Sequence, residues 1–269
     1  MPEGHTLHQL ARLHQRRYAG SPVEVSSPQG RFAAGASLVD GKVLRRADAH
    51  GKHLLHSYGP DLVVHVHLGL YGRFEELPLP AVPPVGQVRM RMVGSEYWTD
   101  LRGPAACEVL TDVEVKVLHA RLGADPLRKD ADPAASYARI ARSRTPIAAL
   151  LMDQAVIAGV GNVYRAEVLF RHGVHPMREG RHIEPALWQA MWDDLVVLMR
   201  YGVRTGRIDT VRPEHGPRAM KRPPRQDRHG GEVYVYRRQG QPCFLCGTPV
   251  AITELAGRNL YWCPVDQPS

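Results

Sequence analysis

The hydrophobic pattern of this chain changes period once, near residue 123, and that change sets the expected fold class. From Val23 to about Leu110, apolar residues come in short alternating or continuous runs broken by Gly and Pro. The runs include Lys42–Leu44, His53–Ser57, Leu62–His67, Gln87–Val93 and Glu96–Trp98. Short runs with regular turn signals predict an antiparallel sandwich or barrel, and the Pro-rich stretch Leu77–Val85 reads as a loop inside it. After Gly123-Ala124-Asp125-Pro126 the spacing becomes helical, over Ala134–Arg142, Pro146–Asp153, Asn162–His172 and Pro185–Tyr201, punctuated by Gly159, Gly161 and Gly173. One further helix precedes the strands: Leu7, Leu10, Ala11, His14 and Tyr18 share a face within Thr6–Tyr18. Val211–Gly230, with Pro213, Pro217, Pro223 and Pro224, reads as irregular, and Glu232–Arg237 alternates like a strand. The expected fold is therefore α+β in two lobes. A β-rich N-terminal domain spans 1–122, a helical domain 123–230, and a Cys-containing hairpin 231–269.

Composition narrows the class. Hydrophobic residues make up 43% of the 269, enough for ordinary cores and too many for a disordered chain. No apolar run approaches the roughly 20 residues a membrane-spanning helix needs, and Met1-Pro2-Glu3-Gly4-His5 opens no secretory signal. The expectation is a cytoplasmic protein. The net charge is +8, and it is concentrated. Between Arg204 and Gly240 ten basic residues stand against four acidic ones, which favours a nucleic-acid partner about as much as a merely solvated linker. Three of the four cysteines, Cys243, Cys246 and Cys263, fall near the C-terminus. That crowding points to a metal site rather than a disulfide scaffold. Cys107 has no partner in sequence and reads as a small buried hydrophobe.

The start of the chain carries the sharpest chemistry. Removal of Met1 exposes a secondary amine at Pro2. Such an amine titrates near ~8, so a usable fraction is an unprotonated nucleophile at neutral pH. Glu3 beside it, at the positive end of a helix, can move protons. The plain structural reading is that Pro and Glu are common in a first helical turn, and on two residues alone it is the better one.

Four motifs in series shift that balance: Met1-Pro2-Glu3-Gly4-His5-Thr6; Gly51-Lys52-His53-Leu54; Leu151-Met152-Asp153-Gln154 with Ala158-Gly159-Val160-Gly161-Asn162-Val163-Tyr164; and Cys243-x2-Cys246 with Gly257-Arg258 and Trp262-Cys263-Pro264. In this order they resemble the formamidopyrimidine-DNA glycosylase and endonuclease VIII family, more narrowly its endonuclease VIII branch in the form found in actinobacteria. The resemblance implies an N-terminal β-sandwich with an N-terminal helix. It also implies a helical lobe with a helix–two-turn–helix and a zinc-finger hairpin, DNA running between the lobes, and a damaged base flipped out of the duplex. The implied activity is a bifunctional DNA glycosylase and abasic-site lyase that excises oxidised bases, pyrimidines first, in base excision repair. A purine-directed glycosylase and a non-catalytic damaged-DNA-binding protein are the alternatives. The partner is damaged double-stranded DNA, with single-stranded DNA as a variant, and the protein is expected to be a monomer.

Carried over by position, Pro2 is the Schiff-base nucleophile, Glu3 the acid/base, and Lys52 the residue assisting β-elimination. Arg258 grips phosphates around the lesion, where a planar guanidinium suits the task. Asn162 contacts the lesion strand and also reads as the N-cap of its helix, and Arg121 contacts DNA. Gly69, Leu70 and Tyr71 form the loop that fills the gap left by the extruded base; the best-known pattern has Gln at position 69. Core packing is the bland alternative for Leu70 and Tyr71. Asp266 stands where the zinc ribbon has a fourth cysteine, so the expected site is one structural zinc on Cys243, Cys246, Cys263 and Asp266.

Overall fold

A computed structural model describes residues 2–226 and 231–269. Met1 and the last four residues of the irregular stretch, 227–230, lie outside the described residues. The chain forms two compact units, the first ending at Arg121 and the second running Leu122–Ser269.

The first unit opens with α1 (Gly4–Arg17). It continues through β1 (Pro22–Ser26), α2 (Ala33–Val39), β2 (Lys42–Val43), β3 (Arg46–His50), β4 (His53–Gly59) and β5 (Leu62–His67). It closes with β6 (Arg73–Pro78), β7 (Val88–Val93), β8 (Tyr97–Arg102), β9 (Ala106–Leu110) and α3 (Asp112–Ala120). The strands make two antiparallel sheets, ordered β2-β1-β7-β8-β6 and β3-β4-β5-β9. Val23, Val25, Met90, Met92 and Leu101 of one sheet share a single buried core with Leu54, Val64 and Val66 of the other, which makes a sandwich. Period-2 alternation is what puts these residues on one face of each strand. Leu7, Ala11 and His14, at i, i+4 and i+7, give α1 its buried face, and the helix lies on β3 and β4.

The second unit holds α4 (Pro133–Ile140), α5 (Ile147–Leu150), α6 (Asn162–Arg171), α7 (Pro185–Thr205) and the hairpin β10 (Ala251–Leu255)–β11 (Arg258–Trp262). Its core runs from Ile140 through Tyr164, Phe170, Trp188 and Met199 to Tyr236 and Tyr261. The hairpin therefore shares a core with the helices. Among the described residues no helix is long and apolar enough to cross a membrane.

The structure corrects the pattern reading in several places. Glu232–Arg237 is not a strand. The N–H groups of Tyr234, Val235 and Tyr236 all donate to the buried carboxylate of Glu167, at 2.7, 2.9 and 2.9 Å, so they are unavailable to a ladder. Leu77 and Pro78 are not loop: they pair with Trp98 and Tyr97 at the end of β6, an edge strand, where Pro is tolerated. Two short helices, α2 and α3, escape the period count. The second is announced by Thr111-x-x-Glu114, whose side chains and backbone N–H groups cap each other reciprocally. Cys107 is half-buried on β9 against the sandwich core, and burial pushes its thiol up to about 12.

Candidate active site and metal centre

Pro2 lies just before α1 and is partly exposed, while Glu3, at the N-cap position, is completely buried. The Glu3 carbonyl accepts from Thr6 N–H at 2.9 Å, so the first helical turn fixes the backbone on which both residues sit. A buried carboxylate at the positive end of a helix is suited to hold or move a proton there. His5, equally buried, is pushed down to about 4, chiefly by burial, and adds no positive charge at neutral pH.

Lys52 occupies the two-residue turn between β3 and β4, closed by the pair His50–His53. Sequence reading did not find its surroundings. His53 and His67 face each other across β4 and β5, and His65 faces Glu108 across β5 and β9. His65 Nδ1 lies 2.9 Å from Glu108 Oε1, and His53 Nδ1 lies 2.8 Å from His65 Nε2. Glu108, His65 and His53 thus form one hydrogen-bonded chain that ends beside Lys52. Burial, then the surrounding imidazoles of His65, His67, His50 and His119, push His53 down to about 3. Burial, His65 and Lys52 lower His67 as well. These two neighbours of the lysine are therefore neutral at physiological pH. The signal for this cluster was present as histidines at period 2 on adjoining strands.

The loop Leu68–Gly72 is pinned rather than packed. Gly72 N–H bonds Leu68 O at 2.9 Å, Gly69 adopts φ +66°, and a Cβ there would meet the Ala105 Cβ at 2.9 Å. A larger residue at position 69 is thus disfavoured by both conformation and space. Leu68 is buried, whereas Leu70 is 46% and Tyr71 82% exposed, so the core-packing alternative for that pair is set aside. Arg121 is exposed at the C-terminus of α3.

In the second unit, Asn162 is not an N-cap. Gly161 holds that position and Asn162 is the first helical residue. Its buried side chain is engaged elsewhere: Nδ2 donates to Asn259 O at 3.0 Å, and Oδ1 accepts from Arg165. Arg165 also donates to Asn259 O, at 3.1 Å. Both bonds tie the start of α6 to the hairpin residue next to Arg258, which follows the left-handed pair Ala256-Gly257. Gln154 staples the turn before α6, donating to Met152 O and Val160 O and accepting from Gly159 N–H, each at 3.0 Å. Neither Arg165 nor Gln154 had been given a role from sequence.

Cys243, Cys246, Cys263 and Asp266 bring their ligand atoms within 4.8 Å of one another. Asp266 Oδ2 lies 3.0 Å from Cys243 Sγ and 3.1 Å from Cys263 Sγ, and the Sγ atoms of Cys246 and Cys263 are 3.4 Å apart. Backbone N–H groups of Leu245 and Asp266 point at the sulfurs of Cys243 and Cys263, an arrangement that favours thiolates. Without a cation, burial and the neighbouring Asp266 raise the Cys243 thiol. A bound cation reverses that balance by displacing the protons. Gln267 anchors the end of the site, accepting from Cys263 N–H and donating to Val174 O. The four residues fit a metal ion.

Residues 1–107 match the formamidopyrimidine-DNA glycosylase N-terminal domain, and residues 122–212 the formamidopyrimidine-DNA glycosylase H2TH domain. Endonuclease 8 1 of Mycobacterium tuberculosis is 59% identical over 271 residues, covering 99% of this chain and 100% of that protein. Formamidopyrimidine-DNA glycosylase of Thermosynechococcus vestitus is 29% identical over 241 residues, covering 84% and 80%. Among solved structures, the complex between the Lactococcus lactis Fpg and abasic-site-containing DNA superposes with a TM-score of 0.80 at 20% identity, over 99% of this chain and 100% of that one. That last likeness concerns the fold. The chain belongs to the formamidopyrimidine-DNA glycosylase and endonuclease VIII family, on its endonuclease VIII branch.

Proposed function

We propose that this chain excises oxidised pyrimidines from double-stranded DNA through a Schiff base on Pro2. The class of activity follows from its family: it is a DNA glycosylase and abasic-site lyase of base excision repair. In the proposed reaction, the Pro2 nitrogen forms a bond to C1′ of the damaged nucleotide while the glycosidic bond breaks. The base leaves with that electron pair and takes up a proton, and ring opening of the sugar gives the iminium. Glu3 supplies and removes the protons. Loss of a C2′ proton then expels the 3′ phosphate, and Lys52 meets the developing charge on that oxygen as a point cation. Asn162 and Arg258 hold phosphates near the lesion, Arg121 adds a contact, and Leu70 and Tyr71 fill the space the base vacates around Gly69.

The observation that supports this most directly is the pairing of a partly exposed Pro2 with a fully buried Glu3 at one helix start. Borohydride trapping tests it on duplexes carrying an oxidised pyrimidine, an oxidised purine or an abasic site. The adduct should map to Pro2, and a chain with a blocked N-terminus should form none. Undiminished lyase activity in the blocked chain refutes the mechanism. Faster trapping on the purine duplex leaves the mechanism and overturns the substrate preference.

Zinc is the metal this donor set fits, three thiolates and a carboxylate around one tetrahedral ion. The purified protein should carry about one zinc per chain. Asp266→Cys should make it harder to remove with a chelator, and Asp266→Ala easier. A zinc-free protein that still cleaves lesion DNA refutes the assignment.

A further inference from the structure

Beside the metal hairpin lies a cavity of about 390 Å³ lined by Arg222, Arg225, Arg237, Arg238, Gln241 and Phe244, among others, with no carboxylate among its described lining residues. Three of the four guanidinium groups are rigidly held. Arg238, buried, donates to Pro242 O at 2.7 Å and to Tyr234 O. Arg225 donates to Tyr236 O at 3.1 Å and Gly231 O at 3.4 Å. Arg222 lies 2.7 Å from Glu232 and donates to His215 O at 3.3 Å. These acceptors are mostly carbonyls, which satisfy geometry without neutralising charge. Of the nearby carboxylates, Glu232 neutralises Arg222 and accepts from Arg225 N–H, and Glu167 accepts three backbone N–H groups, which leaves Arg237 and Arg238 without a carboxylate partner among the described residues.

Two observations mark an unfilled demand for negative charge. Burial, Arg222 and Arg225 pull Arg238 down to about 10 although Glu167 and Cys243 oppose them. The Nε of Arg222 is buried with no acceptor. The ring of Phe244 is stacked between two guanidinium groups, Arg222 at 3.8 Å and Arg238 at 3.5 Å from its centroid. Both ring faces are thus covered, and no base can stack there. The occupant is an anion, not an aromatic ring. Arg237 is exposed, with its backbone held at φ +54°, and is the lining cation with the most freedom to close on a ligand.

We propose that this cavity binds a phosphate of the DNA backbone, a site separate from those assigned to Asn162, Arg258 and Arg121. It rests on the reading of the chain as a DNA enzyme. Phe244 stands inside the Cys243–Cys246 turn, so the metal site and the phosphate pocket share one piece of backbone. The dependence of affinity on salt tests it, measured on lesion-free and abasic duplexes with intact holoenzyme. Arg237→Ala should flatten the slope of log affinity against log salt by about 0.9, the value for one phosphate. It should weaken binding about three- to tenfold at low salt. Arg237→Lys should restore the slope. Inorganic phosphate should shift the Arg Nε–H resonances of the cavity in the wild type.

An unchanged slope in a folded Arg237→Ala overturns the proposal. So does a phosphate-induced shift accompanied by an unchanged DNA slope, which would assign the cavity to a free anion. Failure of the wild type to bind DNA at all overturns the enzymatic reading instead.

Discussion

The two units differ in whether they bury imidazole. Nine of the fourteen histidines, His5 through His119, belong to the first unit. Every histidine buried among the described residues is there: His5, His8, His14, His56 and His65. Three of them, His14, His56 and His65, meet another imidazole or a carboxylate. His14 Nδ1 meets His56 Nε2 at 2.9 Å, and His14 Nε2 meets Glu76 at 2.6 Å, with Arg17 on the far oxygen. Both units bury charged groups, Glu3 and the Arg91–Asp100 pair in the first and Glu167, Arg165 and Arg238 in the second, which also holds Arg171 against both oxygens of Asp194 at 2.6 and 2.7 Å. A neutral imidazole is cheap to bury near pH 7 but becomes a liability in acid. A bonded carboxylate is costly to bury and, once satisfied, costly to lose.

The largest effect should come from Glu167. Its two oxygens accept three backbone N–H groups and the Thr210 hydroxyl at 2.6 Å, and thereby tie Thr210 and Tyr234–Tyr236 to α6. Glu167→Ala orphans three buried backbone donors at once and should cost about 3–5 kcal/mol. Urea unfolding measures the loss, and amide exchange should locate it at Tyr234–Tyr236. A loss below about 1 kcal/mol, or one spread equally into the first unit, would break the contrast.

The second effect is a difference in acid limits. His5 sits near 4 and His56 well below its ordinary 6.5, both chiefly through burial. For such groups the folded state refuses a proton that the unfolded chain accepts. Their stability contribution is therefore complete above about 6.5 and is lost as pH falls below it, at about 1.4 kcal/mol per pH unit for each imidazole. In the second unit Asp194 is held at about 2. Burial opposes this, but the bonds from His172 and Arg171 overcome it. That contribution is complete above the ordinary carboxylate value near 3.8 and is lost only below it. Between pH 6.5 and 5.5 the first unit should weaken by about 2 kcal/mol from His5 and His56, since the full slope is reached only below 6.5, while the second holds. Exchange rates of first-unit amides should rise over that window and those of α6 and α7 should not. Parallel loss in both units would refute the distinction, and His56→Gln should shrink it by about half.

What was legible in the sequence follows the same physics. Periodicity located β4, β5, β7 and the long helices α6 and α7 because one apolar face had to be buried, whereas β3, β6 and β9 were not among its runs. The Cys243, Cys246, Cys263 and Asp266 set was legible because ligand spacing along a hairpin is local. The Glu232–Arg237 stretch was misread because its alternation is real, while its N–H groups answer to Glu167, some 67 residues away. Asn162 was misassigned for the same reason: a cap is a local inference, and its partner Asn259 is 97 residues distant. The imidazole cluster around Lys52 depends on strand register, which no single strand discloses.

The smallest effect sharpens the comparison by removing charge from it. The Leu68–Gly72 loop belongs to the histidine-rich unit, yet it is held without charge, by the buried Leu68, by Gly69 at φ +66° and by the Gly72–Leu68 bond. Gly69→Ala should cost about 1 kcal/mol for the left-handed backbone, with a further increment from the 2.9 Å approach to the Ala105 Cβ. Ala105→Gly in the same chain should return the second part and leave the first. Neither should depend on pH between 5.5 and 7.5, because no titratable group touches the contact that changes. Thermal unfolding of the single and double variants at both pH values measures this. A Gly69→Ala loss that grows in acid would mean the loop is coupled to the imidazole network, and the division between a charge-set and a backbone-set part of the first unit would fall.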